Sequence, residues 1–165
     1  MGETKRWRHL LAVGATDLYL KDTSRSDPWV PEQPARELMV TVWYPTNARQ
    51  GTRTEYTSPE ESRLLVTDPR LRGRAHPVGR PHSLPLVVLS PGYTMPRATV
   101  SALAEKLASH GYVVVGIDHT YETYAVTFPD GPVAGCVACE QNDDRPFFGK
   151  LYQNRAAMSR SSWTG

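Results

Sequence analysis

The pattern of apolar and polar positions changes repeatedly along the chain, and the changes mark its elements. The segment "VGATDLYLKD" alternates weakly, and "SRSDPWVPEQPAR" interrupts it with three prolines. Alternation resumes in "ELMVTVWYP", where Leu38, Val40, Val42 and Tyr44 share one face. Two strands joined by a long loop are predicted, with Pro45 ending the second. Residues 45–83 show little periodicity, and "RLRGRAHPVGRPH" reads as a solvated loop. Then "LPLVVL" is apolar on both faces, as a strand covered by helices on both sides must be. In "ATVSALAEKLASHG", Val100, Leu103, Ala104 and Leu107 form a helical stripe that Gly111 is placed to end. "YVVVGID" is a second doubly apolar strand. Strand, helix and strand of these lengths predict a right-handed βαβ crossover, so the fold class is α/β.

Composition narrows the picture without changing it. A chain of 165 residues buries roughly 68–70% of its unfolded surface, enough for one domain. With 19 Lys and Arg against 17 Asp and Glu the net charge is +2, which argues against a broad nucleic-acid footprint. No apolar run approaches the roughly 20 residues of a membrane helix. The opening "MGETKRWRHLLAVG" is too weakly apolar for a secretory signal, and Arg6 stands where a myristoylation motif wants Ser or Thr. A cytoplasmic address is expected. A lipid-surface role for Lys5, Arg6 and Arg8 is the lesser alternative to a flexible, solvated amino terminus. Cys136 and Cys139 form a lone "CVAC" after a turn-rich segment, without the strand-to-helix setting of a redox motif. No further His or Cys follows to complete a zinc site. Incidental thiols are expected, with no cofactor and no metal.

The candidate chemistry lies in "SPGY", residues 90–93, at the carboxyl end of the third strand, where ligands of a parallel sheet collect. Gly92 is expected to adopt angles closed to other residues and so to turn the Tyr93 amide into the crevice, the geometry of an oxyanion donor. Taken alone, the turn reads as an ordinary strand-to-helix connection. Ser90, Asp118 and His119 suggest a triad, but adjacent residues at a strand end diverge, so Asp118 cannot orient the His119 ring. These three are expected to shape the crevice floor.

The ordered segments "VGATDLYLKDTSRSDPW", "RELMVTVWYPT", "LPLVVLSPGY", "ALAEKLASHGYVVVGIDHTYET" and "FPDG" change the balance. Together they resemble the amino-terminal part of the α/β-hydrolases related to platelet-activating factor acetylhydrolase, the bacterial and fungal esterase branch. The resemblance covers about residues 12–157. It implies a serine esterase or lipase acting on a small-molecule or lipid ester. In that family the turn after strand three supplies an oxyanion amide, which maps onto Tyr93 after Gly92. The nucleophile sits in a G-x-S-x-G elbow after strand five, followed by the acid and the histidine. This sequence contains no G-x-S-x-G.

The resemblance thus divides the chain into a flexible terminus (1–11), a partial α/β-hydrolase domain (12–157) and a tail (158–165). The tail "MSRSSWTG" loses the helical pattern. Written with CGN for arginine and TCN for serine and read one nucleotide out of frame, it restores a Val-containing apolar pattern at helical spacing, which predicts a single-base deletion near Ala157, with a genuine short tail as the alternative. A chain so truncated is expected to have little or no esterase activity. Its third strand, which in the family lies between the fourth and fifth, would be a bare apolar edge open to self-association. A non-enzymatic binding or interaction module on the same half-fold is the alternative.

Overall fold

The computed structural model describes residues 10–47, 83–141 and 145–158. The loop run "RLRGRAHPVGRPH", residues 1–9 and residues 159–165 lie outside them, and with them most of the expected tail. β1 (Ala12–Asp22) and β2 (Arg36–Thr46) pair antiparallel over their full length, from Ala12 opposite Thr46 to Asp22 opposite Arg36. β2 pairs antiparallel with β4 (Val113–Asp118), and β4 pairs parallel with β3 (Leu86–Leu89), giving the order β1-β2-β4-β3. A parallel pair needs a crossover. It is supplied by a 3-10 turn (Arg97–Val100) and helix α1 (Ser101–Ser109).

Packing explains where the pattern misled. β2 was expected to bury one face; flanked by β1 and β4, it also buries Met39, Thr41 and Trp43. Trp43 joins Ala15, Ala104, Ala108 and Val114 in one core and lies over Gly116, where an added Cβ would come within 2.8 Å of its ring. Pro45 does not end β2: the strand runs to Thr46, and because β4 pairs only as far as Trp43, the missing N–H falls where one side has no ladder. The buried stripe of α1 is Ser101, Ala104 and Ala108, small residues that let the helix approach the sheet, while Leu103 is 53% exposed. In a whole sheet β3 would be covered on both faces, and in a chain cut before the later strands it is expected to lie bare. Leu86 and Val88 are exposed, and among the described residues only β4 flanks the strand.

Gly111 does close α1. Its φ is 97°, its N–H reaches Ala108 O at 2.9 Å and that of Tyr112 reaches Leu107 O at 3.3 Å. This Schellman arrangement satisfies the last carbonyls of the helix. Beyond β4 the chain forms a hairpin of β5 (Ala125–Thr127) and β6 (Val133–Gly135), then a 3-10 turn (Val137–Glu140) and helix α2 (Arg145–Met158). Phe147 and Leu151 of α2 pack with Trp29 and Ala138, and the Tyr93 ring meets Phe147 edge-on at 5.3 Å. Arg36 and Arg25 donate to the Asn154 and Ala157 carbonyls at 3.2 and 3.4 Å, cations placed at the helix carboxyl end. The helix thus includes Met158, one residue past the expected boundary.

Cys136 and Cys139 are not incidental thiols: they form a disulfide. The 3-10 turn between them brings their Cα atoms to 5.3 Å, and Ala138 N–H bonds Tyr121 O at 2.9 Å, tying this turn to the loop after β4. Disulfides persist in oxidising compartments and are rare in the cytosol, so the bond runs against the cytoplasmic expectation. Among the described residues, no helix is long and apolar enough to cross a membrane.

Candidate active site

Because β3 and β4 run parallel, the segments leaving their carboxyl ends, 90–95 and 119–124, lie side by side. Gly92–Met95 is a tight turn closed by Met95 N–H to Gly92 O at 3.1 Å, with Thr94 at φ 69° in its third position, as a type II turn requires. The left-handed residue is therefore Thr94 and not Gly92. A Cβ at Gly92 would meet only Met95 Cγ at 3.8 Å, so the conformational freedom expected of that glycine is not used. Thr94 forms an isolated parallel bridge to Thr123: its N–H reaches Glu122 O at 3.1 Å and its carbonyl accepts from Tyr124 N–H at 3.3 Å. Tyr121, also at positive φ (63°), is the third residue of the adjacent turn closed by Glu122 N–H to His119 O at 2.9 Å. Two non-glycine residues in this region mark a backbone over-determined by its surroundings, a feature of functional sites.

Ser90, exposed at the end of β3, has its Oγ 2.7 Å from His119 Nε2. His119 itself is 1% exposed. Burial foremost, then the positive charges of Arg155 and Arg36, lower its pKa to about 3, so the ring is neutral at ordinary pH. Among the described residues its Nδ1 has no hydrogen-bond partner, with Glu122 Oε2 at 4.0 Å, beyond bonding reach. The Glu122 carboxylate is held elsewhere, by Trp29 Nε1 and Arg155 Nε, each at 2.8 Å. A histidine held this far below the ordinary imidazole range takes a serine proton poorly. Asp118 turns away, as strand alternation requires, and pairs with the Arg97 guanidinium while accepting the Arg97 N–H at 2.5 Å. The structure therefore joins Ser90 to His119 but leaves Asp118 on the other side of the strand.

Three residues at the site carry no local signal in the sequence. Trp29, Glu122 and Arg155 meet although the first pair is separated by 93 positions and the second by 33. Among the described residues, no group of three or more His, Cys, Asp or Glu is arranged to hold a metal ion.

A mixed sheet in the order β1-β2-β4-β3, with a helical crossover and a braced turn after β3, defines a partial α/β-hydrolase fold of the esterase type. The family model for platelet-activating factor acetylhydrolase, isoform II, matches residues 11–135. A solved ferulic acid esterase from Streptomyces cinnamoneus superposes with a TM-score of 0.78 at 41% identity, covering 91% of this chain and 45% of that one. A probable 1-alkyl-2-acetylglycerophosphocholine esterase from Arthroderma benhamiae is 34% identical over 55 residues, 33% of this chain and 14% of that protein. The chain spans less than half the length of both relatives. It belongs to the platelet-activating factor acetylhydrolase family.

Proposed function

We propose that these residues form the oxyanion-stabilising part of a serine carboxylic-ester hydrolase, with the backbone N–H of Tyr93 as one donor. The observation that carries the reading is the Gly92–Met95 turn at the carboxyl end of β3, held on both flanks by residues of other segments. A donor fixed before charge develops needs no reorganisation during reaction, and losing one such donor costs about 2.7–4 kcal/mol in transition-state stabilisation. The names of the two relatives, an acetylglycerophosphocholine esterase and a ferulic acid esterase, support an acyl ester as substrate. The reaction needs a serine hydroxyl to attack the acyl carbon, a histidine to take its proton, and a backbone site for the resulting oxyanion before the alcohol leaves.

The 165 residues contain no G-x-S-x-G to supply that hydroxyl. A polypeptide of these residues is expected to hydrolyse p-nitrophenyl acetate no faster than buffer, with or without a serine-directed phosphonate; turnover that the phosphonate abolishes would overturn this. A second reading, favoured by the 2.7 Å contact of Ser90 with His119, makes Ser90 itself the nucleophile. It requires a phosphonate adduct on Ser90 in peptide mass spectra, lost in Ser90→Ala. An unlabelled Ser90 leaves the pair as a fixed part of the crevice floor.

The flank of β3 opposite β4, with Leu86 and Val88 exposed, is also suited to pair with a second copy of the chain. Sedimentation velocity is expected to show species larger than a monomer and Val88→Lys to reduce them. A monodisperse monomer in the unsubstituted chain would count against the pairing.

A further inference from the structure

We propose that Arg155, on α2, is the positioning residue of the turn that carries Tyr93, an assignment that rests on the oxyanion reading above. Its guanidinium spans two acceptors: Nη1 donates to Pro91 O at 2.8 Å and Nε to Glu122 Oε2 at 2.8 Å. Pro91 lies two residues before Tyr93. On the other flank Thr94, the residue after Tyr93, donates its N–H to the backbone carbonyl of Glu122 at 3.1 Å. Tyr93 is thus bracketed by two grips that converge on one ion pair. Glu122 is wholly buried and Arg155 15% exposed, so the pair is shielded from competing water. Trp29 Nε1 fixes the second carboxylate oxygen at 2.8 Å, which leaves Glu122 no alternative pose in which to drift from Arg155. The planar fork of arginine makes this possible. A lysine restores the charge opposite Glu122, but its single ammonium is a point donor that does not reproduce the two divergent bonds.

That difference separates positioning from mere stability. In the 15N-labelled chain, Arg155→Lys is expected to speed hydrogen exchange at the Thr94 amide about tenfold and to move the Tyr93 amide cross-peak, while amides of the β2–β4 ladder change by less than about twofold. Arg155→Met removes the charge as well and is expected to accelerate exchange at Thr94 further. If Arg155→Met does not fold, Arg155→Lys carries the result alone. An unmoved Tyr93 cross-peak, or exchange at Thr94 that changes no more than in the β2–β4 ladder, would overturn the assignment. The esterase reading fails on different measurements, the acetate turnover and the phosphonate label, which these amide signals do not enter.

Discussion

Asp118→Asn is expected to destabilise the protein by about 3 kcal/mol, because it leaves a nearly buried guanidinium without its principal counter-charge. Asp118 ends β4 and is 1% exposed; Arg97, opening the 3-10 turn, is 12% exposed. The carboxylate receives both the Arg97 guanidinium and its backbone N–H, so one side chain holds the start of the crossover against the end of β4. Arg97 also donates to Thr41 Oγ1 at 2.8 Å on β2, which extends the tie across the sheet. Breaking a buried pair costs about 3–5 kcal/mol. The low end applies because Asp17, 3.7 Å from Arg97, keeps part of the compensation. Urea unfolding measures the effect as a lower midpoint with unchanged slope. Adding Arg97→Met to Asp118→Asn should recover part of the loss, since it removes the uncompensated guanidinium while the amide oxygen at position 118 still accepts the backbone N–H of position 97. A midpoint shift equivalent to less than about 1 kcal/mol for Asp118→Asn would show that solvent screens the pair.

The parts of this fold that can be read from the sequence are those where a local rule and the tertiary environment agree. The crossover is one: the unbroken apolar run "LPLVVL", period 3.6 in "SALAEKLAS" and Gly111 at its end each state a local preference that the element order keeps. Leu103 was misread because hydrophobicity indicates what could be buried but not what is present to cover it. Gly92 was misread because a glycine permits positive φ without requiring it. The turn places that strain on Thr94, where bonds to Glu122 and Tyr124 hold it. The cysteines were misread because a motif was sought in the elements around them, and the 3-10 turn that joins them is too short to show a period. A turn at the end of β3 could be read from "SPGY", whereas the role proposed for Tyr93 came only from the family resemblance. The Trp29, Glu122 and Arg155 cluster around it could not, since long-range ion pairs leave no spacing to detect.

Stability is expected to fall as pH drops from about 6.5, and His119 is the residue that sets the window. In the unfolded chain its imidazole titrates near 6.5, whereas in the folded protein burial, with Arg155 and Arg36 nearby, lowers the value to about 3. Between these values the unfolded state binds a proton that the folded state refuses, so unfolding is favoured as pH falls. Above about 6.5 neither state binds it and this residue contributes no slope. The limiting slope is about 1.4 kcal/mol per pH unit, which makes the folded state about 2 kcal/mol less stable at pH 5 than at pH 7 from this group alone. His119→Gln retains an amide near Ser90 and cannot titrate. The difference in unfolding free energy between the two proteins should shrink by about 2 kcal/mol from pH 7 to pH 5, with every other titrating group cancelling. A difference constant over that range would mean that His119 protonates in place. Ser90 would then face a base able to take its proton near neutral pH, which strengthens Ser90 as nucleophile over Ser90 as crevice floor.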